Sequence, residues 1–542
     1  MKKIIISIAI LTMASKIMIA QSVGIGTPIP DSSAILELSS TNKGFLPPRM
    51  TVAQMNAIVS PKPGLIIYLT DSIPGLYIYN VTGYNAAGSG NFVDLSTSQS
   101  INGSKAFLSD IYANGIRLGK GKGIIATNTA IGFEALNTDT INKANDTSTI
   151  LGGRNTALGY QSLYSNSSGS RNTSNGHQSL FSNTNGSSNT ANGVSSLYYN
   201  TIGRGNAANG DYSLYNNTTG SNNTSNGSAS LYSNRTGSLN TSNGHQSLFN
   251  NTDGNSNVAN GGYALLNNTT GYNNTANGVS ALNWNSTGKR NTANGFSSLF
   301  SNTTGEYNTA DGVFALRLNT TGDHNTATGD SALFSNTTGY QNTATGAFAL
   351  MSNTLGNYNT ALGYAAFFTG NIYSNSTALG YSANITASNQ IRLGNSSITS
   401  IGGQVGWTTI SDGRFKKDIK ETVPGLPFIL ELRPVTYHLD MDAIAKFHHN
   451  PDSLRSKKSE AIKIAVLQTG FIAQEVERVA NHIGYNFSGV DKPRNENDIY
   501  GLRYDEFVVP LVKGMQEQQK MILEQQKLIL KLEERIKALE DK

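Results

Sequence analysis

Ser411 and Lys416 stand close together in the stretch Thr408-Thr409-Ile410-Ser411-Asp412-Gly413-Arg414-Phe415-Lys416-Lys417. A serine hydroxyl is a weak nucleophile until a neighbouring base takes its proton, and a lysine amine is one of the groups that serves in that role. The lysine works only as the free amine. Its pKa must therefore fall from ~10.4 toward neutrality, through desolvation or nearby positive charge. Lys417 and Arg414 supply such charge, and Asp412 with Arg414 is expected to fix the loop geometry. Taken alone, the Ser-Asp pair also suits a helix N-cap, so both readings stand on these residues.

The elements that must hold this stretch begin after Gly402-Gly403, where the composition changes. The pattern predicts a short strand over 405–410, a helix over 426–432 and a strand over 435–439. It continues with a variable insertion over 443–462, a strand over 464–466, a helix over 473–480 and a strand over 500–504, giving a small mixed α/β unit. The insertion carries His448-His449 and Lys457-Lys458, read as solvated loop residues. From Val508 a strict 3-4 alternation follows: Val508, Leu511, Met515, Gln518, Ile522, Gln525, Ile529, Leu532, Ile536, Leu539. This is the signature of a coiled coil, and Ile-rich seams with Gln layers fit three strands. The competing reading is an amphipathic helix folded back on its own domain.

Before this segment lies a repeat. Asn recurs every 17 residues at thirteen positions from Asn155 to Asn359, Gly follows four residues later each time, and the residue midway between them is always Ala or Ser. Leu recurs from Leu163 to Leu350, usually followed by an aromatic residue, and a second Asn and Gly run from Asn166 and Gly169 to Asn353 and Gly356. Degenerate copies flank the array at Asn128 and Ser376. A fixed period with paired turn residues implies a solenoid. Asn and Gly tolerate positive φ and would turn the chain twice per repeat, and the few residues between turns suit a strand rather than a helix. Coils stacked at ~4.8 Å would make fifteen copies a shaft of roughly 70 Å, with Asn-on-Asn ladders along its axis. One Leu per coil is a thin core for a single chain, so three chains sharing an interior are expected.

Charge divides the molecule in the same places. Residues 128–400 hold 9 basic and 9 acidic residues, whereas residues 411–542 hold 21 of each. The net charge of +5 arises in the first 127 residues and forms no basic stripe, which argues against nucleic acid as a partner. Cysteine is absent, excluding disulfides and thiolate metal sites. His177 and His245 occupy equivalent corners of separate repeats and are read as exposed corner residues, so no metal or other cofactor is expected. Asp211, Asp253, Glu306, Asp311, Asp323 and Asp330 scatter among repeat positions without forming the acid pair of a glycosidase. Residues 1–20 combine a basic start with a short apolar run ending near Ala20-Gln21, a signal peptide, and no later run suits a membrane helix. The expected localisation is secreted or cell surface. Apolar runs separated by Pro and Gly make 21–100 a β-rich module, and 101–127 reads as a transition.

Three resemblances add to this reading. Gly44-Phe45-Leu46-Pro47-Pro48-Arg49-Met50-Thr51 resembles the leader of exported, fibre-like proteins of Bacteroidetes. Asn155-Thr156-Ala157-Leu158-Gly159-Tyr160-Gln161-Ser162-Leu163 resembles the head repeats of trimeric autotransporter adhesins, which implies a parallel trimeric β-roll and a host-surface or glycan receptor. Most specifically, Ser411 to Lys416, then Gly470-Phe471-Ile472-Ala473-Gln474-Glu475-Val476-Glu477, then Tyr504-Asp505-Glu506-Phe507-Val508-Val509-Pro510 are similar to the peptidase S74 domain, the intramolecular chaperone of endosialidase tailspikes. That resemblance implies a homotrimer whose terminal domain, 411–505 with a coiled coil over 506–542, directs folding and then cuts itself off. It makes Ser411 and Lys416 a catalytic dyad, Asp412 and Arg414 supporting residues, and Ile410–Ser411 the scissile bond, after a linker over 401–410. Burial of the lysine would then come from trimer assembly, so cleavage would wait for folding. The alternatives are a structural fibre that trimerises without cutting, or a tailspike acting on polysaccharide.

Overall fold

The computed structural model describes residues 22–87, 109–122, 125–137 and 153–542. The stretch over 1–20 expected to be a signal peptide, its expected cleavage point and the later part of the N-terminal module lie outside the described residues. The chain divides into a unit ending at Ala106 and a unit running from Phe107 to Lys542.

In the first unit, β1 (Val23–Ile25) pairs in parallel with β2 (Leu36–Leu38). A four-stranded sheet follows, with β3 (Arg49–Met50) parallel to β4 (Ile66–Leu69) and an antiparallel meander through β5 (Gly75–Asn80) and β6 (Gly83–Ala86). The short helix α1 (Val52–Asn56) starts on a capping box between Thr51 and Gln54, which satisfies two of its otherwise unpaired backbone N–H groups.

The second unit is built on one long ladder. A hairpin of β7 (Ile111–Ala113) and β8 (Ile116–Gly119) pairs antiparallel with β9 (Thr129–Gly132). From β9 onward the pairing is parallel through fourteen three-residue strands, β10 (Thr156–Leu158) to β23 (Thr377–Leu379), and ends at β24 (Ile391–Leu393). The sheet therefore begins inside the stretch read as a transition. Each strand turns its middle Ala or Ser inward and its first and third residues outward, the period-2 alternation of a half-buried strand.

The turns differ from expectation. The glycine after each strand does adopt positive φ, from +124° to +144° between Gly159 and Gly363. Asn of the repeat does not; the other left-handed residues include the leucines, at +49° to +52° from Leu163 to Leu350. A leucine in that region costs about 1–2 kcal/mol. Full burial of its side chain returns about 1.5–3 kcal/mol, so the corner holds.

Asn instead works through its amide. Asn234 Nδ2 donates to Asn217 Oδ1 at 2.7 Å and to the Gly237 carbonyl at 2.9 Å. In the other column, the backbone N–H and Nδ2 of Asn240 both donate to Asn223 Oδ1, at 3.0 and 3.2 Å, and Nδ2 also reaches the Gly254 carbonyl at 2.8 Å. These ladders run through the interior, where a buried amide must be bonded. The leucines from Leu163 to Leu350 are fully buried within the one chain. This corrects the expectation of a Leu core shared by three chains: two Asn columns and close-packed Ala and Ser complete each coil, which the single-Leu count overlooked. Outside the core, Tyr164, Phe181, Tyr198, Tyr215, Tyr232 and Phe249 stack coil upon coil at 5.0–5.3 Å.

After the shaft, residues 405–410 form no strand, since no neighbouring strand is there to pair with them. A small aromatic core gathers Phe428 of α2 (Leu426–Ile429), Val476 and Ala480 of α5 (Ala473–His482), Phe487 and Phe507. β25 (Val435–Tyr437) pairs antiparallel with β26 (Gln468–Gly470). Of the strand expected over 464–466, Ile464 is instead the last residue of a helix and 465–466 form the turn that leaves it. The insertion is also ordered, with α3 (Met441–Phe447) and α4 (Lys457–Ile464) tied by Arg455. Its buried guanidinium meets buried Glu460 at 2.8 Å and reaches Asp442 and Asp452 as well. The last expected strand shortens to β28 (Gly501–Leu502), paired with β27 (Val490–Asp491), because Tyr504 already opens a 3-10 turn.

The chain ends in α6 (Val508–Glu540). Pro510 and Gly514 are buried and Glu517 accepts the Leu426 N–H at 2.8 Å, but Ile522, Ile529, Leu532, Ile536 and Leu539 are all exposed. The helix does not fold back on its domain, and its apolar seam is left uncovered. Among the described residues no helix is long and apolar enough to cross a membrane.

Candidate functional site

Ser411 and Lys416 flank a single 3-10 turn, Gly413–Phe415. Asp412 is its N-cap, accepting the Arg414 backbone N–H at 2.9 Å, so the capping role falls to Asp412 and not to Ser411. The Arg414 guanidinium closes on the same carboxylate through Nε at 3.0 Å and Nη2 at 2.6 Å. These bonds hold the Asp412 carboxyl below the usual carboxylate range, the Arg414 side chain contributing most. With Asp412 and Arg414 paired to each other, Lys416 Nζ lies free of carboxylates and donates to Ser411 Oγ at 2.9 Å.

The loop carries this geometry in solvent. Ser411 and Lys416 are exposed, and Ile410 is 85% exposed. An exposed ammonium donates to the serine oxygen. The same contact reverses when the amine loses its proton, and the nitrogen then accepts the hydroxyl proton, which is the step that makes a nucleophile. The carbonyl of Ile410 is bonded to the nitrogen of the residue that bears this hydroxyl, so an attack on it would close a five-membered ring.

Other groups emerge only in three dimensions. His448, read as a solvated loop residue, is half-buried beside a cavity of about 490 Å³ that also reaches Arg392 and Lys463. Burial and then Arg392 push its pKa down. Asp498 is buried against Thr386 and Gln390 of the last coils. Nothing in the spacing of these residues signals the meeting, since more than a hundred positions separate the partners. Among the described residues no cluster of His, Asp and Glu could hold a metal ion.

Residues 411–485 match the family model described as Peptidase_S74, chaperone of endosialidase. The match begins on Ser411 itself. Residues 24–103 match a second model, described as a phage tail like trimerisation region. No curated protein and no solved structure matches the chain. The tail-fibre-like architecture, a trimerisation region before a β-solenoid and an endosialidase-type chaperone after it, is thus shared with known families at both ends. A trimerisation module in the N-terminal β-rich stretch was not legible from its residues, which carry turn and strand signals but no seam.

Proposed function

We propose that the chain is an exported, homotrimeric fibre whose C-terminal segment directs assembly and then cuts the backbone between Ile410 and Ser411. The observation that carries this reading is the 2.9 Å contact between Lys416 Nζ and Ser411 Oγ at the first residue of the chaperone match. Lys416, as the free amine, takes the hydroxyl proton while Ser411 Oγ attacks the Ile410 carbonyl carbon. The C–N bond breaks, the proton passes to the departing Ser411 nitrogen, and an ester links Ile410 to Ser411 Oγ. Water then hydrolyses the ester, leaving a carboxylate on Ile410 and a free amine and hydroxyl on Ser411.

The exposure of both side chains in one chain supports a cut that waits for assembly. Packing of three α6 helices along their uncovered Ile and Leu seam would bring neighbouring chains over the loop and desolvate the lysine. The benefit to the fibre is kinetic. Non-local parallel pairing is slow to form, a terminal trimeriser sets register, and severing it afterwards removes the route back to separated chains. A host-surface or glycan receptor is the partner such a shaft would meet.

Expression of wild type beside Ser411→Ala and Lys416→Ala tests the cut. The expected result is a fragment of about 14 kDa, scaled from 57.7 kDa for the whole chain, in wild type alone. Full-length bands from all three would favour the second reading, a fibre that trimerises without cutting.

A further inference from the structure

The covalent link between shaft and chaperone runs through an exposed loop. Residues 401–411 and 413–422 are exposed, and the side-chain hydrogen bonds of Ser411, Asp412, Arg414 and Lys416 join these residues to one another. The two bodies meet elsewhere, on the last coils of the shaft. Thr386 Oγ1 donates to Asp498 Oδ1 at 2.5 Å and Gln390 Nε2 to the same oxygen at 3.4 Å. Asn495 Nδ2 donates to the Thr386 carbonyl at 3.0 Å, and Arg494 Nη1 to the Ser388 carbonyl at 2.8 Å. Farther round, Tyr381 Oη reaches the Leu454 carbonyl at 2.9 Å and Lys463 Nζ the Ile398 carbonyl at 2.7 Å.

The centre of this contact is dry. Thr386, Gln390 and Asp498 are 4%, 8% and 7% exposed. A buried carboxylate is tolerated only when its oxygens are bonded, and half of the bonds to Asp498 come from the shaft. Separating the bodies would strip those donors away. The contact lies beside β24, the last strand of the ladder among the described residues, whose strand partner is β23.

We infer that the shaft's final coils, centred on Thr386 and Gln390, are a docking plate for the severed C-terminal segment, which stays bound through Asp498 as a cap on the solenoid's open end. The partner is thus this protein's own cleavage product. The inference rests on the proposed cut between Ile410 and Ser411 but separates cutting from release: a nick in an exposed loop between two docked bodies leaves them docked.

The test needs a nick that does not depend on self-cleavage. Full-length Ser411→Ala carrying a site-specific endoprotease sequence between Gly403 and Gln404 is cut with that enzyme, and wild type is followed in parallel. Each is then passed through native size exclusion, with fractions run on denaturing gels. The C-terminal fragment is expected to co-elute with the shaft in both. Thr386→Val, which keeps the shape and removes the donor to Asp498, should speed dissociation of the nicked fragment at least ten-fold. Asp498→Ala, which removes the acceptor shared by Thr386 and Gln390, should do the same. Circular dichroism of the uncut variants verifies that both remain folded. Separate elution of the fragment from the endoprotease-cut protein overturns the inference, whatever wild type does by itself. Equal dissociation rates in the folded Thr386→Val protein and its parent overturn the role of the plate. An uncut wild type beside a retained endoprotease fragment would instead count against the self-cleavage reading and leave the docking upheld.

Discussion

Asn234 sits wholly enclosed in the shaft with its amide bonded to Asn217 and Gly237, while Ser411 and Lys416 meet in full solvent. The first contact is repeated coil after coil and is complete within one chain. The second joins two exposed side chains and lacks the desolvation that the proposed cut requires. The shaft meets the cost of buried polar groups by periodicity, each coil supplying the partners of the next. The C-terminal segment relies on contacts that each occur once, and leaves its 33-residue helix with an apolar seam that nothing among the described residues covers. A fibre of this kind can divide the labour: strength from a repeat that needs no charge, control from a segment whose working state needs neighbours.

Substitutions sharpen that contrast, beginning with the largest effect. Gly244→Ala would place a Cβ 2.6 Å from the backbone of Gly261 at a φ of +140°. Backbone strain and overpacking together predict about 3–5 kcal/mol of local destabilisation. Hydrogen exchange should show it confined to the adjoining coils, as expected of a one-dimensional array; uniform loss along the shaft would break the picture of independent coils. In the C-terminal segment, Arg455→Ala leaves buried Glu460 with the longer 4.0 Å contact to Lys457 and should cost about 3 kcal/mol, read as a lowered urea midpoint for that segment alone.

Asn251→Ala removes one rung of a column. Asn234 Oδ1 loses its donor, while the Gly254 carbonyl keeps the Asn240 amide and Asn268 keeps its bond to Gly271, so about 2 kcal/mol is expected from local exchange rates. A neutral outcome would mean that the ladders do not carry the coil. The smallest effect is alkaline. Burial, and after it Tyr199, pushes the Tyr215 hydroxyl up to about 12. The folded shaft favours its neutral form, so stability is intact below the ordinary tyrosine value of about 10 and is lost as pH rises from there toward about 12. Tyr215→Phe should flatten that part of the stability curve.

The period announced the solenoid because its 17-residue spacing repeats the same pair of turn residues too many times for chance. It also pointed to Asn ladders. What the residue types concealed was which side chain does which job: Asn was read as a turn former, yet leucine occupies the left-handed corner and Asn fills the interior. That inversion produced the mistaken shared core. Ser411 and Lys416 were visible because they are close in sequence and one turn brings them together. Thr386 and Asp498 were not, because only the fold makes them neighbours. The strand expected over 464–466 failed for a related reason: Ser456 caps a helix that runs on to Ile464, and the chain turns at Ala465 before β26 begins at Gln468.

The central claim is that the shaft's interior is complete in a single chain whereas the cutting site is not. Wild-type protein should be separated by sedimentation into single chains and trimers, and the appearance of the Ser411 fragment timed in each, with Ser411→Ala as the blank. The account predicts cleavage in the trimeric fraction and intact polypeptide among single chains whose shaft amides are nonetheless protected from exchange. Fragment forming at equal rates in both fractions would contradict it.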